Sequence, residues 1–275
     1  MAAIYGRFTQ AELDAAYDNR TLEPRLEAIK ADWDQRSKAL YASARVSRDL
    51  AFGTGPRERL DFFPARTAGR PTVAFIHGGY WQRNDKESHA FVAQGLLERD
   101  CNVALLEYTL APAADIDTIV AQVRAGLAWL AARLQTELGA GSALVVCGHS
   151  AGGHLSAMAA ACPGVTAALP ISGLFDLEPI RLSFLNAPLA MDAAVARRNS
   201  PQHLALPHVQ MSVAVGAAEL PELVRQSRDY AAALAAAGRP ARCLLLPGEN
   251  HFSILEQLAR PEGALCAEAI RLAAD

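Results

Sequence analysis

Ser150 stands at the centre of Gly148-His149-Ser150-Ala151-Gly152, between the apolar run ALVVCGHS and the helix-forming run AGGHLSAMAAA. Small residues on either side of a serine at a strand-to-helix turn let the chain double back tightly and leave the hydroxyl exposed at the tip. Such a serine attacks as a nucleophile once a base takes its proton, and the first amides of the following helix face any negative charge that develops. Alone the pattern is weak, because a serine capping a Gly-rich turn looks the same. A second segment, His77-Gly78-Gly79-Tyr80-Trp81, closes an earlier apolar run. Glycine there keeps side chains away from the amides, so a substrate carbonyl oxygen can reach them. Gly79, Tyr80 and Ala151 are the expected donors of this oxyanion hole.

The general base should follow the last long strand, and RCLLLPGENHFSIL supplies His251 there. His77 and His149 belong to the two glycine motifs and are expected to support loop geometry. His154 lies on the helix after Ser150 and faces away from the chemistry. His89, His203 and His208 fall in surface-like segments, where a solvated imidazole is the usual reading. The acid that orients the base should follow the run VQMSVAVG, and Glu219 is the first carboxylate after it. Glu222 is the near alternative, one turn further into a helix. A lone acid after a strand is more often a cap or a surface charge, but the order serine, acid, histidine favours Glu219. No histidine pair has zinc-ligand spacing, so neither a metal nor another cofactor is expected.

The elements that must hold these residues can be read from periodicity. VSRDLAFG and ERLDFFPA alternate apolar and polar residues around a GTGP turn and predict an antiparallel hairpin. PTVAFIHGG and ALVVCGHS are buried-strand runs, NVALLEY is another strand, and AALPIS, VQMSVAVG and RCLLLPG are further strand candidates. Helices are expected near 87–99, from Asp115 to Leu138, after Ser150, near 221–237 and near 262–273. An initial hairpin followed by alternating strands and helices is the α/β-hydrolase order, with a mostly parallel sheet covered on both faces. No linker or repeat divides the chain, so residues 1–275 read as one domain. Residues 1–45 form a helical extension able to contribute to a lid, and the irregular segment 176–208 is a candidate cap.

With 51% hydrophobic residues among 275, the chain can bury such a sheet, and a formal charge of −3 with scattered arginines argues against nucleic acid or anionic membrane as partners. Five dispersed cysteines with no CxxC pair fit neither a disulfide framework nor a zinc site. The N-terminal residues do not read as a secretory signal, and no run is long enough to span a membrane. A cytoplasmic protein is the simplest expectation, with a homodimer left open.

HGGYWQ, EYTLAP, DTIVAQVRAGLAWL, GHSAGGHLSAM, SGLFDLEPI, RNSPQ, GAAELPELVRQS and GENHF together resemble the arylformamidase (kynurenine formamidase) group of α/β hydrolases. The likeness runs over most of the chain. At the position of Glu219 that group usually carries aspartate, and the neighbouring Pro-Glu and Arg-Gln-Ser support Glu219 over Glu222. The resemblance implies metal-independent hydrolysis of N-formylkynurenine to kynurenine and formate, with cleavage of simple aryl esters as a common accompaniment. The small-molecule substrate is then an aryl amide or ester. Tyr80, Trp81 and Phe175 are candidates to line an aryl pocket and Asn186 to supply a polar contact, with ordinary packing as the alternative for each. A short-chain or aryl carboxylesterase is the competing enzyme. A noncatalytic binder of the same fold is the competing class, although such proteins usually lose the serine or the histidine.

Overall fold

The computed structural model describes residues 2–137 and 143–274. Eight strands form one sheet: β1 (Ser47–Ala51), β2 (Arg59–Phe63), β3 (Thr72–Ile76), β4 (Asn102–Leu106), β5 (Leu144–His149), β6 (Ala167–Ile171), β7 (Gln210–Gly216) and β8 (Ala241–Leu246). Their spatial order is β1-β2-β4-β3-β5-β6-β7-β8. The β1–β2 hairpin joins β4 antiparallel, and every pairing from β4 to β8 is parallel. Every residue of β3, β4, β5 and β6 is buried, which is why these strands read as continuous apolar runs.

The helices are α1 (Gln10–Ala16), α2 (Leu26–Ser43), α3 (Ala93–Glu98), α4 (Ile116–Glu137), α5 (Ala151–Ala159), α6 (Glu178–Leu182), α7 (Ala193–Arg198), α8 (Pro221–Ala236), α9 (Glu256–Ala259) and α10 (Ala264–Ala274). Alternation along β3 separates two apolar cores. Ala74 and Ile76 join residues of α4, α5 and α8 on one face, whereas Val73 and Phe75 join α3, α9 and α10 on the other. The end expected for α4 at Leu138 lies outside the described residues, as do Met1 and Asp275 at the limits of the expected span. No helix among the described residues is long and apolar enough to cross a membrane.

The N-terminal helices are bound to this body. Trp33 on α2 stacks on Phe91 with ring centroids 4.9 Å apart and donates its indole N–H to Glu256 at 3.3 Å. Ser37 Oγ accepts the Phe91 amide at 3.0 Å, and Tyr41 donates to the buried Asp61 at 2.6 Å. The segment 176–208 folds into α6, α7 and two short 3₁₀ turns, Phe184–Asn186 and Pro201–His203.

The sheet order also fixes where a ligand can sit. From β3 the chain crosses to β4 on one side, while β5 lies on the other, so a crevice opens above the carboxyl ends of β3 and β5. Ile76 is registered opposite Gly148, which brings the Gly78-Gly79 turn beside Ser150.

Beneath this crevice the fully buried Trp81 donates its indole N–H to His154 Nδ1 at 3.2 Å, and the His154 Nε2–H reaches the Asn199 carbonyl at 2.7 Å. Accepting at Nδ1 while donating from Nε2 requires a neutral imidazole, and burial lowers its pKa from 6.5 to about 4. Burial and the neighbouring His77 likewise lower His89 to about 4. Unfolded, both rings protonate near 6.5, so unfolding takes up protons between that value and 4. Their contribution to stability is complete above pH 6.5 and is lost as pH falls toward 4, at about 1 kcal/mol per pH unit for each ring. His154→Gln should therefore lower the Tm at pH 7 yet flatten its decline between pH 6.5 and 4. Calorimetric scans across that range check this, and an unaltered slope would show that His154 does not titrate with unfolding.

Candidate active site

Ser150 joins β5 to α5 in a left-handed conformation, φ 57° and ψ −117°. A residue with a Cβ adopts this only under constraint. Here its N–H is fixed to the Ile171 carbonyl at 2.8 Å, and α5 starts at once with Ala151. The helix can come so close because Gly152 lacks a side chain: a Cβ there would fall 1.9 Å from the carbonyl oxygen of Ile76.

His251 Nε2 lies 3.1 Å from Ser150 Oγ, and its Nδ1 lies 2.6 Å from Glu219 Oε2. All three residues are buried. The other Glu219 oxygen accepts from Ser172 Oγ at 2.5 Å and from the Gly216 amide at 2.8 Å, so the carboxylate is held by three donors. Glu222 is directed elsewhere, to Tyr17 Oη at 3.2 Å and to Arg225 at 2.7 Å. His149 places Nε2 2.8 Å from the His251 carbonyl, and burial holds its pKa well below the usual value. It is thus a neutral donor that steadies the backbone of His251. This arrangement can draw a proton from the Ser150 hydroxyl and store the resulting imidazolium charge against Glu219.

Facing Ser150, Gly79, Tyr80 and Trp81 all have positive φ, 118°, 52° and 60°. Only glycine tolerates this freely, so the other two are held by their side chains. Trp81 is anchored in the core on His154, while Tyr80 donates its hydroxyl to the Tyr17 carbonyl at 2.6 Å and accepts from Asn19 Nδ2 at 3.0 Å. The amides of Gly79, Tyr80 and Ala151 have no acceptor among the described residues and are free for a ligand. Below the loop, His77 bridges the Gly78 carbonyl and Glu107, each at 2.9 Å, and Glu107 also binds Arg57 at 2.7 Å. No group of three or more His, Cys, Asp and Glu among the described residues is placed to hold a metal ion.

Ser150 and His251 open on a cleft of about 340 Å³ whose further walls include Tyr17, Asn19, Trp33, Tyr80, Arg83 and Leu185. Three expected substrate contacts are not among its walls. Trp81 is fully buried as the core anchor of its loop. Phe175 is fully buried too, stacked on Tyr230 at 4.4 Å between centroids. The Asn186 amide is engaged with both backbone groups of Met191, at 3.0 and 2.9 Å. His89 corrects a further expectation: it is 5% exposed, not solvated, because α2 packs Trp33 over it, and it lines the cleft. Sequence reasoning also missed Ser172. Its signal was only a hydroxyl at the end of a strand, meaningful once β6 is known to lie beside β7.

The BD-FAE family matches residues 60–178. The chain is 32% identical to the kynurenine formamidase of Danio rerio over 90% of both chains, and 35% identical to that of Salmo salar over 78% of both. Among solved structures, a Silicibacter protein provisionally called a thioesterase superposes with TM-score 0.83 at 29% identity, covering 93% of this chain and 98% of that one. An esterase of Pyrobaculum calidifontis, at 18% identity and TM-score 0.72 over 97% and 98% of the two chains, shares the α/β-hydrolase fold.

The contact between α5 and β3 is directly testable. Gly152→Ala should cost about 3 kcal/mol of stability, the upper range for an overpacked site. Urea denaturation measures it, and a loss under about 0.5 kcal/mol would mean that the turn can widen without strain.

Proposed function

The chain belongs to the kynurenine formamidase family of α/β hydrolases, and we propose on that premise that it hydrolyses N-formylkynurenine to kynurenine and formate with Ser150, His251 and Glu219 as its catalytic triad. The observation that carries the reading is the hydrogen-bonded line from Ser150 Oγ through both nitrogens of His251 to Glu219, opening on a cleft beside unpaired backbone amides. His251 Nε2 takes the Ser150 proton as Oγ attacks the formyl carbon. The amides of Gly79, Tyr80 and Ala151 receive the oxyanion, each such donor being worth about 3 kcal/mol in the transition state. Protonated His251 then gives its proton to the departing aryl amine. Water, activated by the same imidazole, releases formate from the acyl-enzyme. No metal enters these steps.

A carboxylesterase activity is the second reading. It is favoured by relatives called probable isoprenylcysteine alpha-carbonyl methylesterase, one from Arabidopsis thaliana being 29% identical over 68% of this chain. The two reactions share the acyl-transfer steps and differ in the leaving group, since an amine must be protonated as it departs whereas an aryl alcohol need not be. A cytoplasmic location and a single domain over 1–275 belong to the same proposal, supported by five free cysteines and one continuous sheet.

Turnover of N-formyl-L-kynurenine beside p-nitrophenyl acetate tests the reading. Ser150→Ala should abolish both activities by several orders of magnitude with its Tm little changed, and activity retained in that variant would reject Ser150 as the nucleophile. Glu219→Gln should lower kcat roughly 10²–10⁴-fold, as loss of the orienting acid does elsewhere, whereas Glu222→Gln should leave kcat within a few-fold. Equal losses in the two glutamate variants would reject the assignment of the acid.

A further inference from the structure

A formyl group adds a single carbon beyond the bond that breaks, yet the cleft in front of Ser150 has a volume of about 340 Å³. On the deformylation reading, on which this inference rests, most of that space receives the departing half of the substrate. The charges along the walls show what it can receive. Arg20 grips Asp18 through two bonds of 2.7 and 2.8 Å, Lys30 is paired with Glu27 at 3.1 Å, and Asp34 with Lys38 at 2.5 Å. Arg83 differs. It lines the same cleft and is exposed, and its side chain makes no hydrogen bond or ion pair with any described residue.

The stem of Arg83 begins at the wall that carries the free amides. A Cβ on Gly79 would lie 2.9 Å from Arg83 Cγ, so the side chain leaves the protein beside the oxyanion loop. Its charge acts on both Tyr80, whose pKa burial nonetheless pushes up, and Asp18, whose carboxyl is held low chiefly by Arg20, which sets the guanidinium near the seam between that loop and the N-terminal segment. A planar fork of donors with no protein acceptor fits a carboxylate in two parallel bonds. Its neighbours are already neutralised by partners of their own, so they do not compete for an anion.

We propose that Arg83 is the specificity-determining residue for the leaving group, binding the α-carboxylate of the aryl amino acid while Ser150 attacks the formyl carbon at the other end. The cleft then measures the substrate twice, by a small acyl group at the triad and by an anion at the rim. A neutral aryl formamide satisfies only the first.

The test uses the full chain and two formamides that differ only at this group, N-formyl-L-kynurenine and its α-carboxamide. Wild type should favour the acid by about tenfold in kcat/KM, the worth of one charge-assisted pair at a partly open site. Arg83→Gln should erase that preference through KM, with kcat on the acid changed less than threefold. Arg83→Lys, which keeps the charge and loses the fork, should retain an intermediate preference. Thermal melts establish that the variants are folded. Equal losses on acid and carboxamide, or a preference that survives in Arg83→Gln, would overturn the subsite. Wild type that cleaves both formamides equally would also overturn it while the formamidase reading stands. Wild type that cleaves p-nitrophenyl acetate but neither formamide would overturn the formamidase reading, and the subsite with it.

Discussion

The rest of the site depends on how closely helix α5 lies against the carboxyl end of strand β3. A helix with any side chain at Gly152 would meet the Ile76 carbonyl and would have to start farther out. Because it starts where it does, the turn at Ser150 is driven into a left-handed conformation and its hydroxyl stands above the sheet. The same approach sets the Ala151 amide beside the loop that follows β3, so two elements remote in sequence bring unpaired amides together. Ser150, Tyr80 and Trp81 each carry backbone strain of about 1–3 kcal/mol. Two apolar cores and a buried Trp81–His154 bond hold them there.

Polar groups complete what packing begins. Glu219 is buried, and a buried carboxylate must be given donors. It receives them from the amide of Gly216, the hydroxyl of Ser172 and the ring of His251. One oxygen is thereby committed to the scaffold and the other to the imidazole. This division fixes the angle at which His251 faces Ser150. His149 acts on the other side of the same ring, through the backbone of residue 251.

The sequence made the sheet legible because its central strands are buried on both faces and so appear as unbroken apolar runs. The candidate residues at strand ends were legible in part for the same reason: Ser150 and Gly79 follow fully buried strands and Glu219 a mostly buried one, whereas His251 follows the half-exposed edge strand β8, and the structure brings all four together. The substrate side was not. Trp81 and Phe175 were read as pocket residues because aromatic rings near a motif suggest a binding wall, but backbone direction turns both into the core. His89 was read as solvated because its segment is polar, and only the packing of α2 reveals its burial. Ser172 and the N-terminal walls of the cleft depend on strand order and long-range docking, which no local pattern encodes.

Tyr17 ties these remote parts together, with its carbonyl bound to Tyr80 and its hydroxyl to Glu222 and Gln226. The roof of the cleft therefore comes from the N-terminal part of the chain, while the proposed triad residues come from later stretches. The proposed triad and this roof are thus encoded in separate stretches, while Arg83 adjoins the loop of Gly79. Inheritance could redraw the roof, and with it the range of compounds accepted, without disturbing the elbow. Such modularity is one way in which a single hydrolytic core could come to serve formamides in one lineage and esters in another.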